Sequence, residues 1–148
     1  MSVSLEAPEL VAGVERLAQA APTGYQAQIT LINNCPSSWG VVIVSAGVKF
    51  FYRSGADYTD GPRNVHLSSG QSATFVSNDP NQCVFQYFLA AVVTVPNEPP
   101  KTLTNQDGVG PGECVVHCSL VLGPKQSVGE ATLAALGLLH RVELSKRP

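Results

Sequence analysis

From Tyr25 onward, apolar and polar residues alternate with a period of two. Tyr25, Ala27, Ile29, Leu31 and Cys35 share one face of an extended chain, while Gln26, Gln28, Thr30 and Asn34 share the other, with Ile32 an exception. This pattern predicts a half-buried antiparallel strand. Asn34 to Ser38 reads as a turn. Gly40 to Val44 is apolar on both faces, and Val48, Phe50 and Tyr52 continue the run with Lys49 and Arg53 opposite. Residues 54–64 (SGADYTDGPRN) read as a long polar loop. Val65 and Leu67 open a strand, Ser69-Gly70 turns, Ala73 and Phe75 open the next, and Asn78 to Asn81 turns again. Cys83 to Val95 is the clearest segment: odd positions are all apolar, and Val84, Phe88, Ala90 and Val92 add a second apolar face. Such a segment predicts a central strand covered above and below. Pro96 to Gly112 is rich in proline and glycine and has no periodicity, so it reads as an irregular loop. Glu113 to Leu122 is then a strand with Cys114, Val116, Cys118, Leu120 and Leu122 on one side.

The period changes at both ends. Leu10, Val14, Leu17, Ala18 and Ala21 fall on one narrow helical stripe within residues 4–21, with Pro8 in the first turn and Pro22 and Gly24 as the stop. Near the C-terminus, Ser127-Val-Gly-Glu130 matches a capping box, and Val128, Ala131, Ala135, Leu139 and Val142 form a second stripe. A strand over Leu138 to Leu144 is the weaker alternative there. The expected architecture is mainly β: an antiparallel β-sandwich or flattened barrel of six or seven strands with an N-terminal and a C-terminal α-helix. One domain spans residues 1–148, with a helical arm at 1–22, the β part at 25–122 and a helix at 127–145.

Composition narrows the function. The chain is 44% hydrophobic, enough for a packed core, yet only 14% charged with a net charge of −2. Nine scattered Lys and Arg make no electrostatic footprint for nucleic acid, and no apolar run reaches the length of a membrane helix. Glu6 and Glu9 stand where a secretory signal carries positive charge, which leads to an expectation of cytosolic synthesis or of a place in an assembled particle. The cysteines Cys35, Cys83, Cys114 and Cys118 are either disulfide-bonded or buried thiols, buried thiols being the simpler reading. On a strand, Cys114 and Cys118 stand ~13 Å apart and cannot bond to each other.

Chemistry-bearing residues offer little. Cys114, His117 and Cys118 would converge on zinc from a helix, but on a strand His117 faces away from both cysteines. His66, His117 and His140 lack a carboxylate close in sequence, and no Gly-x-Ser-x-Gly is present. Asp57 and Asp60 read as a solvated turn rather than calcium ligands, and Gly108 to Gly112 precedes a strand without the Lys-Ser/Thr of a phosphate loop. No catalytic residue, metal or cofactor is therefore expected. Trp39 and Tyr58 are the candidate ligand contacts, since such rings anchor binding surfaces.

Ile29-Thr-Leu-Ile-Asn-Asn-Cys35, Trp39 and Leu67-Ser-Ser-Gly-Gln-Ser72 resemble the opening of thaumatin-like proteins. The strand, turn and Ser38-Trp39-Gly40 are also similar to the start of aegerolysins, lipid-binding β-sandwich proteins. Either resemblance implies a β-sandwich and transfers no functional residue. The expectation is a non-enzymatic structural or interaction protein forming a homo-oligomer, of which a shell, filament or virion component is one form. Leu10, Val14 and Leu17 are the candidate assembly contacts. The alternative is a monomeric module binding glycan or lipid headgroups through its loops.

Overall fold

The computed structural model describes residues 26–124 and 136–141, so the expected N-terminal helix, with Leu10, Val14 and Leu17, lies outside the described residues. Among the described residues there are eight strands: β1 (Gln28–Asn33), β2 (Val42–Tyr52), β3 (Asp57–Leu67), β4 (Ser72–Val76), β5 (Val84–Thr94), β6 (Lys101–Gly108), β7 (His117–Pro124) and β8 (Leu136–Arg141). They form two four-stranded sheets, ordered β4-β1-β7-β8 and β3-β2-β5-β6, and neither sheet closes into a barrel.

The alternation in β1 works as the sequence implies: Ile29 and Leu31 are fully buried, while Gln28 is exposed and Thr30 and Ile32 are half-buried. Their core neighbours are Phe75, Cys118, Leu120 and Leu122 from the same sheet, and Ile43, Val48, Phe50, Tyr87, Leu89 and Val93 from the other. Asn33 is the buried polar exception. Its Nδ2 donates to Val41 O (2.9 Å) and Leu67 O (3.0 Å), and its Oδ1 accepts from Cys35 N–H (3.1 Å). One side chain thus satisfies the backbone where β1 turns toward β2, at no net loss of hydrogen bonds.

The two-sided apolarity at Gly40–Val44 has a local cause. Between Ile43 and Ser45 the register of β2 slips against both neighbours. This bulge changes the inward parity, from Val41 and Ile43 to Ala46, Val48, Phe50 and Tyr52.

Several expectations are corrected. The polar stretch 54–64 is largely strand: β3 pairs along β2, and seven of its eleven residues are exposed, as an edge strand permits. Within the expected loop 96–112, β6 pairs with β5 and sends only Leu103 and Asn105 into the core. Residues 136–141 of the expected C-terminal helix form β8, because they pair with β7 from Ser119↔Arg141 to Pro124↔Leu136. The sheets are not purely antiparallel, since β1 and β7 run parallel. Cys114 precedes β7 rather than lying on it. β5 is interior to its sheet, but only one of its faces is sealed: Leu89, Ala91 and Val93 are fully buried, whereas Phe88, Ala90 and Val92 are partly exposed.

Candidate association surface

The outward side of the β3-β2-β5-β6 sheet carries an apolar depression. Register places Lys49 between Thr59 and Phe88, with Phe88 opposite Gln106; the adjacent row runs from Gly47 to Ala90 to Thr104. Two small residues side by side lower the floor, and the bulged Gly61-Pro62 turn of β3 brings Pro62 over Gly47. A Cβ on Gly47 would meet Pro62 Cα at 2.9 Å, so this approach requires glycine. The result is an apolar depression of about 250 Å³ lined by Gly47, Lys49, Thr59, Pro62, Phe88 and Ala90. Lys49 is held at its rim by Asp57 (3.9 Å) and lies 5.3 Å from the centre of the Phe51 ring, so its charge is matched and turned aside. Thr104 Oγ1, beside Ala90, is out of solvent with no hydrogen-bond partner.

The sequence-derived candidates lie elsewhere. Trp39 ends a short 3-10 helix, Ser37–Trp39, before β2, whereas Tyr58 pairs with Phe50 far along that strand. Eight residues of strand separate Val42 from Phe50, ~26 Å. Both rings are partly buried and pack against the core, so they make no common site.

The acidic pair is likewise divided. Asp57 faces Lys49, while Asp60 binds Arg63 through Oδ1 and accepts Val76 N–H through Oδ2 at 2.9 Å. Arg63 also donates to Thr74 O (2.9 Å) and covers the Phe75 ring at 4.2 Å, clasping β3 of one sheet to β4 of the other.

Cys83 and Cys114 form a disulfide, and Cys35 and Cys118 are buried thiols. The cysteines thus divide between the two states left open by their spacing. Burial pushes the Cys35 thiol up to about 11. Burial also pushes Cys118 up to about 12, with a nearby Asp107 acting in the same direction and a hydrogen bond from Tyr87 opposing it. Neither thiol is a nucleophile near neutral pH. Tyr87 is itself held protonated, first by burial, and donates to Asn105 Oδ1 at 2.7 Å. His117 Nε2 lies 3.4 Å from Thr30 Oγ1. With Cys114 bonded and Cys118 facing the core, the three residues weighed for zinc are not brought together, and no cluster of three possible metal ligands occurs among the described residues.

At one end of the molecule, Arg53 donates to Gly110 O and to Glu113 O (2.9 Å), and Glu113 Oε1 accepts from Gly110 N–H (3.1 Å). The glycine-rich loop is thereby folded onto its own sheet beside the disulfide. Its amides do not form a phosphate cradle.

Compared with family models, curated proteins and solved structures, the chain matches none. The reading of function therefore rests on the geometry alone.

The apolar depression was illegible in the chain because its lining comes from three strands. Phe88, Ala90 and Val92 were visible as a second apolar face of β5; which residues would leave that face uncovered depends on pairing.

Proposed function

We propose that this protein is a non-enzymatic structural or interaction protein that self-associates, with the outward side of the β3-β2-β5-β6 sheet as a principal contact. The observation that carries this reading is the row of partly exposed Phe88, Ala90 and Val92 beside an apolar depression. Contiguous apolar surface rimmed by polar residues is characteristic of protein contacts. The low charge content, 14%, reduces both the desolvation cost and the repulsion between copies. Further support comes from the titratable side chains: Asp60, Arg53, Arg63 and the two thiols are all engaged in holding the fold. Leu10, Val14 and Leu17 are proposed as a second contact, an arm reaching a neighbouring subunit. The reading of Trp39 and Tyr58 as glycan or lipid contacts draws no support from their separation.

Sedimentation velocity over a concentration series tests the proposal. A mass rising above 15.6 kDa is expected. A constant monomer mass from micromolar to about 100 µM refutes it.

A further inference from the structure

We infer that Asp107-Gly108, at the end of β6, is a modification site at which the folded chain converts an aspartyl into an isoaspartyl linkage through a cyclic imide. This inference is independent of the self-association reading.

The sequence holds two Asp-Gly pairs, Asp60-Gly61 and Asp107-Gly108, and no Asn-Gly. An aspartyl carboxyl followed by glycine is open to attack by the next main-chain nitrogen, because glycine has no Cβ to obstruct the approach. In a folded chain the outcome depends on where the carboxyl and that nitrogen are held. The two pairs are held in opposite ways.

At Asp107 the reacting groups are together. Gly108 N–H donates to Asp107 Oδ1 at 2.7 Å, which brings the nitrogen beside the carboxyl carbon. Reactive conformers hold the reacting atoms ~3–3.5 Å apart, and this contact approaches that range. The nitrogen also stands clear of the ladder. Val109 N–H donates to Phe85 O, and hydrogen-bonded positions alternate along an antiparallel pair. Gly108, opposite Gln86, is therefore at a non-bonded position, its N–H directed away from β5. Ring closure there breaks no bond between β5 and β6. Both Asp107 and Gly108 are partly exposed, so water reaches the ring. The fold keeps the susceptible pair for a separate reason: a Cβ on Gly108 would meet Phe85 O at 2.7 Å.

At Asp60 the carboxyl is engaged elsewhere. Arg63 binds its Oδ1, and Val76 N–H donates to Oδ2 at 2.9 Å. Both oxygens are tied to groups other than the Gly61 amide, and attack on this carboxyl would have to undo the clasp between β3 and β4.

The conversion balances with water alone. Gly108 N bonds to Asp107 Cγ, the C–O bond of the carboxylic acid breaks, and its hydroxyl leaves with the amide proton as water. A water molecule then opens the five-membered ring. Attack at Cγ restores aspartate. Attack at the main-chain carbonyl of Asp107 breaks its bond to Gly108 N, so the chain runs on through Cβ and Cγ and the α-carboxylate hangs free. One carbon is thereby added to the main chain directly before Val109, whose N–H ties this end of β6 to β5.

The test incubates the full chain for several weeks at neutral pH in heavy-oxygen water, both folded and unfolded in guanidinium chloride. The variant Asp107→Glu, whose extra methylene makes the five-membered ring impossible, is treated alongside, with circular dichroism as the check of folding. Reduction, alkylation and trypsin release residues 54–63 and 102–125, each carrying one Asp-Gly. The isomer is read as a peptide of the same sequence that shifts in chromatography, carries one heavy oxygen and accepts a methyl group from S-adenosylmethionine with an isoaspartyl methyltransferase. In the folded protein, residues 102–125 are expected to isomerise at least ~10-fold faster than 54–63, the advantage of held reacting groups, and in guanidinium the two rates converge. Asp107→Glu yields no isomer of 102–125 and leaves 54–63 as it was. The ratio within the wild-type chain decides even where that variant does not fold. Equal rates at the two sites of the folded protein, or no isomer of 102–125, overturn the inference.

Discussion

Reducing the Cys83–Cys114 disulfide provides a test of how the β5-β6 pair is secured. The bond joins residues 31 apart and encloses all of β5 and β6. Inside the folded state its removal disturbs little. Val115 N–H still donates to Val84 O (2.7 Å), Val109 N–H to Phe85 O (2.9 Å), and Arg53 still holds Glu113 O. The effect therefore falls on the unfolded chain, which regains the freedom of a loop of that length. The chain-entropy relation puts this at ~12 cal/mol/K, or ~3.7 kcal/mol at 25 °C. Against a typical total of ~5–15 kcal/mol, that is a large share of the stability. Urea unfolding of the oxidised protein and of Cys83→Ser/Cys114→Ser, at one fixed protein concentration, measures it. With an m-value of ~2 kcal/mol/M, the midpoint is expected to fall by ~2 M. A fall below ~0.5 M would show that the two cysteines are already constrained in the unfolded ensemble, or that they do not bond, and the loop-closure reasoning would be refuted.

Leu89→Ala, at a fully buried site of β5, should cost about 2–5 kcal/mol in urea unfolding; a loss under ~1 kcal/mol would mean that the centre of the sheet is loosely packed. Gly47→Ala should destabilise by about 1–3 kcal/mol, because the new Cβ meets the Pro62 backbone at 2.9 Å, and an unchanged melting temperature would show that β3 moves aside freely. The raised thiols of Cys35 and Cys118 predict alkaline sensitivity with a defined sign. The unfolded thiols lose protons near pH 9 while the folded ones retain them to about 11 and 12, so stability is intact below pH 9 and falls as pH rises through that window. Cys35→Ala/Cys118→Ala should flatten the decline between pH 8.5 and 10.5, and an identical slope in that variant would exclude the thiols as its source.

Which elements were legible in the chain follows from where each residue's free energy is decided. β1 and β5 could be read because burial dictates their side chains: Ile29 and Leu31 alternate with polar residues, and Leu89, Ala91 and Val93 line the core. β3 and β6 could not, because an edge strand is held by its ladder to a neighbour and its side chains are free to be polar. Thus Asp57, Asp60 and Arg63 carried a loop-like signature. Residues 136–141 contain leucines that fit a helical stripe equally well, and pairing with β7 decides between the two; that partner is nonlocal. The exclusion of a bond between Cys114 and Cys118 assumed that both lie on one strand, whereas Cys114 precedes β7; its actual partner depends on the approach of the β5 start to residues 113–116. The depression needed even more: the register of three strands and the bulge that places Pro62 over Gly47.

The parallel pairing of β1 with β7 has a consequence for synthesis. The β3-β2-β5-β6 sheet is drawn from one continuous stretch, residues 42–108, and can pair its strands as soon as that stretch has emerged. β1 leaves the ribosome before any of it, yet one of its two ladders waits for residues 117–122. At ~5–20 residues per second, that interval of about ninety residues lasts ~5–20 s. Throughout it, the strand bearing Ile29 and Leu31 has at most β4 as a partner, and an unpaired β edge is the template on which nascent chains aggregate. Ribosomes stalled when residue 108 has just cleared the exit tunnel should therefore hold a chain with one ordered sheet and an open β1, the form most dependent on a chaperone.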